Sequence, residues 1–329
     1  MLTYKINKIS EVETNSLSIF YKKVFFKRYK SLTQNWKWWY RVGYNNFEPL
    51  ILSIDNKVVG QAGVLPVDLE IDGKKNQAIW FVDFAILPNL RGKGLGKILT
   101  KEWMKICPNQ ITFCNNESLK IFKKFGWSHN LSSKRILKPI NYFKLIPYLN
   151  RFLLREIKNN IMKNKEIKPF KVVENFELIK KIFVEKKEKN VESYAEIVRD
   201  EKWLHWRLME CPYKDDLYFF EYKNNFIITH IYLDKNIKRL NILYQCYENK
   251  EDENDFFNIM KKWAYENNID LLWAISGTKE NEKNFSAIFN KTVNFAAWSS
   301  DNKIFNILQK GLPGAQGIDS DIDSSLYVE

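Results

Sequence analysis

Cysteine and histidine are scarce in this chain, 4 and 3 among 329 residues. Cys107, Cys114, Cys211 and Cys246 are scattered without C-x-x-C spacing, and His129, His205 and His230 are as dispersed, so a metal site has little to draw on. The cysteines read as small buried apolar residues of a reducing compartment. No apolar run is long enough to span a bilayer, and Met1–Lys5 lacks the apolar core of a signal peptide, so a cytoplasmic location is expected. Acidic residues are outnumbered by basic ones, 39 to 52, for a net charge of +13. The lysines are nevertheless spread throughout, with no RNP motif, zinc knuckle or basic helix, so nucleic acid is not an expected partner.

Glycine is also sparse, 12 in all, and three of them stand at alternate positions in Arg91-Gly92-Lys93-Gly94-Leu95-Gly96-Lys97. An apolar, aromatic run, Ile79 to Ile86, precedes this stretch and reads as a buried strand. Leu95 to Cys107 follows and reads as an amphipathic helix. Glycines so placed let the backbone turn tightly and leave successive N–H groups bare at the positive end of a helix, a cradle for a phosphate or pyrophosphate. A Walker loop is excluded, because Arg91 stands where its first glycine belongs and Ile98 where Ser or Thr belongs. A dinucleotide fingerprint would need glycine at Lys97 or Leu99.

What remains is R-x-x-G-x-G after a strand, which resembles the coenzyme A loop of the GCN5-related N-acetyltransferases (GNAT). A second segment fits in register: Asn115 at a strand end, Ser118, the pair Ile121-Phe122 and the closing pair Gly126-Trp127. The resemblance covers roughly residues 1 to 135. It implies an α/β (α+β) fold with a mixed central sheet flanked by helices, and acetyl-CoA or another acyl-CoA as co-substrate. Carried onto this sequence, the coenzyme would be held by Ile86, Leu87, Arg91, Gly92, Lys93, Gly94, Leu95, Gly96, Lys97, Asn115, Ser118 and Phe122. The N–H of Ile86 or Leu87 would meet the oxyanion. Many members carry a tyrosine where Phe122 stands. Its proton would here have to come from water or from Ser118, one turn earlier on the same helix face. Asp83, a carboxylate in an otherwise apolar strand, is the candidate general base; Glu70, His129 and the terminal Glu329 are weaker candidates.

Along the first half, Tyr4–Ile9, Leu50–Ile54 and Val58–Ile71 read as strands, and Glu11–Phe26 and Leu32–Arg41 as helices, the second densely aromatic. The second half repeats this order: Lys171–Asn175 strand, Glu177–Lys187 helix, then Trp203-Leu204-His205-Trp206-Arg207 echoing Trp36 to Arg41. Strands Leu217–Tyr222, Phe226–Leu233 and Asn241–Tyr247, the helix Phe256–Tyr265, the strand Ile269–Ile275 and the helix Asn284–Lys291 complete it. Where a glycine loop should stand, this half has the acidic run Glu248 to Glu253, which would repel a pyrophosphate. The expected organisation is therefore a tandem duplication: a coenzyme-binding domain over 1–149, a linker helix over 150–168, a degenerate copy over 169–310 and an irregular tail over 311–329.

The resemblance implies transfer of an acetyl or other acyl group to a primary amine of a small molecule, for example an amino sugar destined for a surface polysaccharide. Two other readings stand beside it. One is a non-catalytic sensor that binds coenzyme A. The other is a Fem-like, aminoacyl-tRNA-dependent ligase of peptidoglycan bridges, which would need no coenzyme loop.

Overall fold

The structure is a computed structural model that describes residues 3–141, 168–185, 195–234, 236–247, 250–276, 289–312 and 314–319. The linker expected over 150–168, residue 168 excepted, and the tail from 320 lie outside these residues. In the first half, β1 (Tyr4–Lys8) leads to α1 (Thr14–Val24) and α2 (Tyr29–Trp39). Then come β2 (Leu50–Ile54), β3 (Lys57–Ile71), β4 (Lys74–Ile86), α3 (Leu95–Trp103), β5 (Asn109–Cys114), α4 (Asn116–Lys124) and β6 (Ser128–Pro139). The hairpin turns fall at Asp55-Asn56 and Asp72-Gly73, all four with positive φ, as two-residue turns between twisted strands require.

The second half follows the same order. It comprises β7 (Phe170–Lys171), α5 (Phe176–Glu185), β8 (Glu196–Ile197) and α6 (Glu201–Leu204), which continues as a π-helical turn through Met209. After these come β9 (Leu217–Tyr222), β10 (Asn225–Asp234), β11 (Ile237–Cys246), α7 (Lys250–Glu266), β12 (Leu271–Ser276), β13 (Phe289–Ser299) and α8 (Asn302–Leu308). The helix expected over Asn284–Lys291 is corrected at its end, where Phe289 begins a strand. The β-branched and aromatic residues that follow, Thr292, Val293, Phe295 and Trp298, suit a strand and outweigh the helical spacing.

The strands join in one mixed sheet ordered β1-β2-β3-β4-β5-β13-β6-β12-β11-β10-β9-β7, with β8 paired to β3 off this path. Read from either edge the order is the same, once β1 is matched with β7, β2 with β9, β3 with β10, β4 with β11, β5 with β12 and β13 with β6. Each half surrenders its last strand: β13 lies against β5 of the first half, and β6 lies against β12 of the second. This arrangement is consistent with a tandem duplication, and the sheet runs unbroken from one half into the other. One face carries a single core shared by α1, α2, α5 and α6. The other carries two, beneath α3 and α4 and beneath α7.

Candidate coenzyme site at the parted strands

β4 and β5 are paired for only two residues, Ile79 opposite Gln110 and Trp80 opposite Ile111. Thr112 Oγ1 then donates to the Phe81 carbonyl at 2.8 Å. Beyond this point β4 keeps to β3 while β5 keeps to β13, and a wedge opens between them. A bulge starts the divergence. The β3–β4 register slips between Gln61 and Gly63, and Asp83 takes φ +51°, a left-handed conformation costly for a residue with a Cβ. Gly63 makes the bulge sterically possible: a Cβ there would lie 2.6 Å from the Val82 carbonyl oxygen and 3.1 Å from Asp83 Cβ.

Past the bulge, Ile86 faces Gly60 and the Leu87 N–H donates to the Val59 carbonyl at 2.9 Å. In an antiparallel ladder that pattern turns the main-chain groups of Ile86 away from β3, toward the wedge. Of the two expected N–H donors, Leu87 is thus committed to the sheet. The Ile86 carbonyl accepts from Arg91 Nε at 3.2 Å.

The glycine loop then enters α3. Gly92 has φ +79°, and Gly94, the N-cap, has φ +80°. A Cβ at either would meet nothing within 4 Å, so conformation alone requires glycine and the space over the loop is open. The first-turn amides of Leu95, Gly96 and Lys97 have no intrahelical acceptor, and the helix dipole makes this end positive. Arg91, Lys93 and Lys97 are exposed around it. Gly96 lies against the Phe84 ring, 3.6 Å from an added Cβ to Cζ, while Leu95, Leu99 and Trp103 are buried and seat the helix on the sheet. Donors, cations and open space together fit a diphosphate.

Asn115 caps α4, its Oδ1 accepting from the Ser118 N–H at 2.9 Å. Ser118 is half-buried at the start of the helix. Phe122, 4% exposed, lies in an aromatic cluster with ring centroids 5.5 Å from Phe81 and 4.7 Å from Trp127. Its placement is that of a core residue, and the coenzyme contact expected of it finds no support there.

Asp83, the candidate base, is enclosed by partners. Its side chain points to α2 and is 1% exposed, with Oδ1 in an ion pair with Arg28. Oδ2 accepts from Trp39 Nε1 at 2.8 Å and from the Tyr40 hydroxyl at 3.0 Å. Gln61 Nε2 donates to the Tyr40 oxygen at 2.6 Å, and its Oε1 accepts from the Tyr21 hydroxyl at 2.9 Å. Burial, and then Tyr40, push the Tyr21 hydroxyl well above the usual tyrosine range. This network of Arg28, Tyr21, Tyr40, Gln61 and Trp39 was hidden in the sequence, since nothing in their spacing announces a shared partner. Glu70 lies at the far end of β3, opposite Glu196, and His129 Nε2 meets Asn294 Oδ1 at 3.1 Å.

Residues 13–127 match the acetyltransferase (GNAT) family. The matched segment is about a third of the chain. Bulge, wedge, glycine loop and α4 all lie within it. No curated protein matches the chain in sequence. Among solved structures, the fold resembles a GCN5-related N-acetyltransferase from Kribbella flavida, with TM-score 0.58 at 10% identity over 89% of this chain and 71% of that one. It also resembles Saccharomyces cerevisiae N-myristoyltransferase with bound myristoyl-CoA, with TM-score 0.57 at 11% identity over 91% and 78%. A probable N-acyltransferase from Enterococcus faecalis gives 0.54 at 13% identity over 90% and 72%. At these identities the likeness is one of fold, and it runs well beyond the matched segment into the second half.

Proposed function

We propose that this protein moves an acyl group, acetyl in the first instance, from acyl-coenzyme A to a primary amine of a small molecule, such as an amino sugar of a surface polysaccharide. The observation that carries the reading is the conjunction of parted β4 and β5 with an open, cationic helix N-terminus at the wedge mouth. A thioester bound there would supply the activated acyl carbon. Arg91, Lys93, Lys97 and the loop amides hold the diphosphate. Ile86 presents its N–H and carbonyl to the arm that follows the wedge, as an added strand would be met. Asp83 acts as a positioning residue, since its acceptors are occupied by Arg28, Trp39 and Tyr40 and it holds the bulge in place. We assign the amine's proton to solvent, because Asp83 and His129 are engaged elsewhere and Glu70 lies far along β3. Thiol release from acetyl-CoA with a panel of amines tests the reading; absence of turnover with every primary amine tried would overturn it.

Phe122 favours a second reading, a coenzyme-binding sensor, because a buried phenyl ring offers no proton to a departing thiolate. Calorimetric coenzyme binding without turnover would select it. A ligase that draws on aminoacyl-tRNA has no use for the Arg91–Gly96 loop.

A further inference from the structure

The second half contains the same wedge, and the chain fills it. β11 and β12 are paired in parallel from Arg239–Leu271 to Ile242–Ala274 and no further. The β10–β11 register slips between Ile228 and Thr229, at the place where β3 and β4 slip. Counting outward from the two slips, Gln245 faces Ile227 as Ile86 faces Gly60. Gln245 is thus the counterpart of Ile86. Its N–H donates to Gln316 Oε1 at 2.8 Å, and its carbonyl accepts from Gln316 Nε2 at 3.0 Å. One side-chain carboxamide closes both bonds that a neighbouring strand, or an amide-bearing arm, would make.

The segment carrying Gln316 is firmly held. Leu312, Ala315 and Ile318 are buried in the shared core, and the turn Gly317–Asp319 lies against β11 and β12. A Cβ on Gly317 would stand 3.3 Å from the Ile242 carbonyl oxygen, so the backbone lies directly on the bulge. Arg199 grips both carboxylate oxygens of the buried Asp319, at 2.8 and 2.6 Å, and donates to the Gly314 carbonyl at 2.7 Å. Arg207 Nε donates to the Ile318 carbonyl at 2.9 Å. Residues expected to be irregular tail are, over 314–319, an anchored strap.

We infer that the β11–β12 wedge is a second site for an amide-bearing, pantetheine-like arm, and that Gln316 occupies it as a tethered ligand mimic, so that the chain carries one coenzyme site and not two. The inference rests on the proposed coenzyme role of the first wedge. Lacking a glycine loop, the second wedge offers no diphosphate grip, and the arm it takes is phosphate-free.

Hydrogen exchange on the wild-type protein provides the first test. Without coenzyme, the Gln245 amide is expected to exchange at least about tenfold more slowly than that of Ile86, the value of one hydrogen bond. Coenzyme A should slow Ile86 and leave Gln245 unchanged. Calorimetry provides the second: wild type should bind one coenzyme A per chain, and Gln316→Ala should gain a site for S-acetylpantetheine that coenzyme A does not displace. If wild type binds no coenzyme, the first wedge is not a coenzyme site. If it binds one while Gln245 exchanges as fast as Ile86, or Gln316→Ala folds and gains no site, the tethered-mimic inference is overturned.

Discussion

Trp38 and Trp206 donate to each other's main chain: Trp38 Nε1 to the Trp206 carbonyl at 2.9 Å, and Trp206 Nε1 to the Trp38 carbonyl at 2.8 Å. Their rings lie 5.9 Å apart, Arg41 stands over Trp206 and Arg207 over Trp38. The exchange is reciprocal, as at a two-fold axis, and it falls between the two segments whose sequences echo each other. Trp38→Phe and Trp206→Phe should each cost about 1 kcal/mol, the net value of one such bond plus lost contact. The double variant should cost less than the sum of the two, because each single change already disturbs the shared stack. Chemical denaturation of the four proteins measures the coupling.

Asp83 separates a base from a positioning group. Removing one partner of a buried ion pair destabilises by about 3 kcal/mol, since the other charge stays buried. Asp83→Asn should therefore lower Tm by several degrees. Its residual acyl transfer should keep the acid limb of the wild-type pH–rate profile, with kcat reduced across the whole range. Loss of that limb would make Asp83 the base after all.

Local signals carried the first half well. Apolar alternation, two-residue turns of Asp and Asn, and the three alternate glycines place β2, β3, β4 and α3 within a few residues of where they stand. The exchange of β6 and β13 was not legible, because pairing between strands some 160 residues apart leaves no local mark and Phe289–Lys291 also fits helical spacing. The bulge was hidden for a related reason. Alternation puts Asp83 on the face opposite Ile86, but only the left-handed turn of its backbone explains why it meets Arg28 and Trp39. Gln316 was likewise unreadable, since a carboxamide that imitates a strand is a fact of register and not of composition.

Two glycines of the site should respond differently to alanine. At Gly63 the added methyl would overlap the Val82 carbonyl at 2.6 Å. Overpacking of this kind costs about 1–3 kcal/mol and here would push β3 off the bulge, so both stability and turnover should fall. At Gly94 the methyl meets no atom, and only the φ of +80° is penalised, about 1 kcal/mol. Gly94→Ala should stay folded and lose coenzyme affinity. Thermal melts beside calorimetry distinguish the two.

Stability should decline at alkaline pH. Burial pushes the Cys107 thiol up to about 11 and the Cys114 thiol up to about 12, from an ordinary 9.0. In the unfolded chain both ionise near pH 9, while the folded chain keeps its protons, so the unfolded state binds fewer of them above that pH. Their contribution is fully present below pH 9 and is lost as pH rises toward 11 and 12. Denaturation midpoints measured from pH 8 to 11 should fall, and the fall should be shallower in a Cys107→Ala, Cys114→Ala variant.

Arg91 separates the phosphate grip from the grip on the arm. Its guanidinium is exposed beside the α3 N-terminus, with Nε on the Ile86 carbonyl. A charge-assisted bond to phosphate is worth about 1.5–3 kcal/mol, so Arg91→Ala should weaken coenzyme A binding by at least about tenfold. Because exposed charges are screened, the wild-type affinity should drop with added salt and the variant's should drop less. S-acetylpantetheine, which has no diphosphate, should bind Arg91→Ala at least as well as wild type, since the Ile86 carbonyl is then released to accept from the arm. Equal losses for both ligands would show that Arg91 shapes the wedge and does not hold the anion.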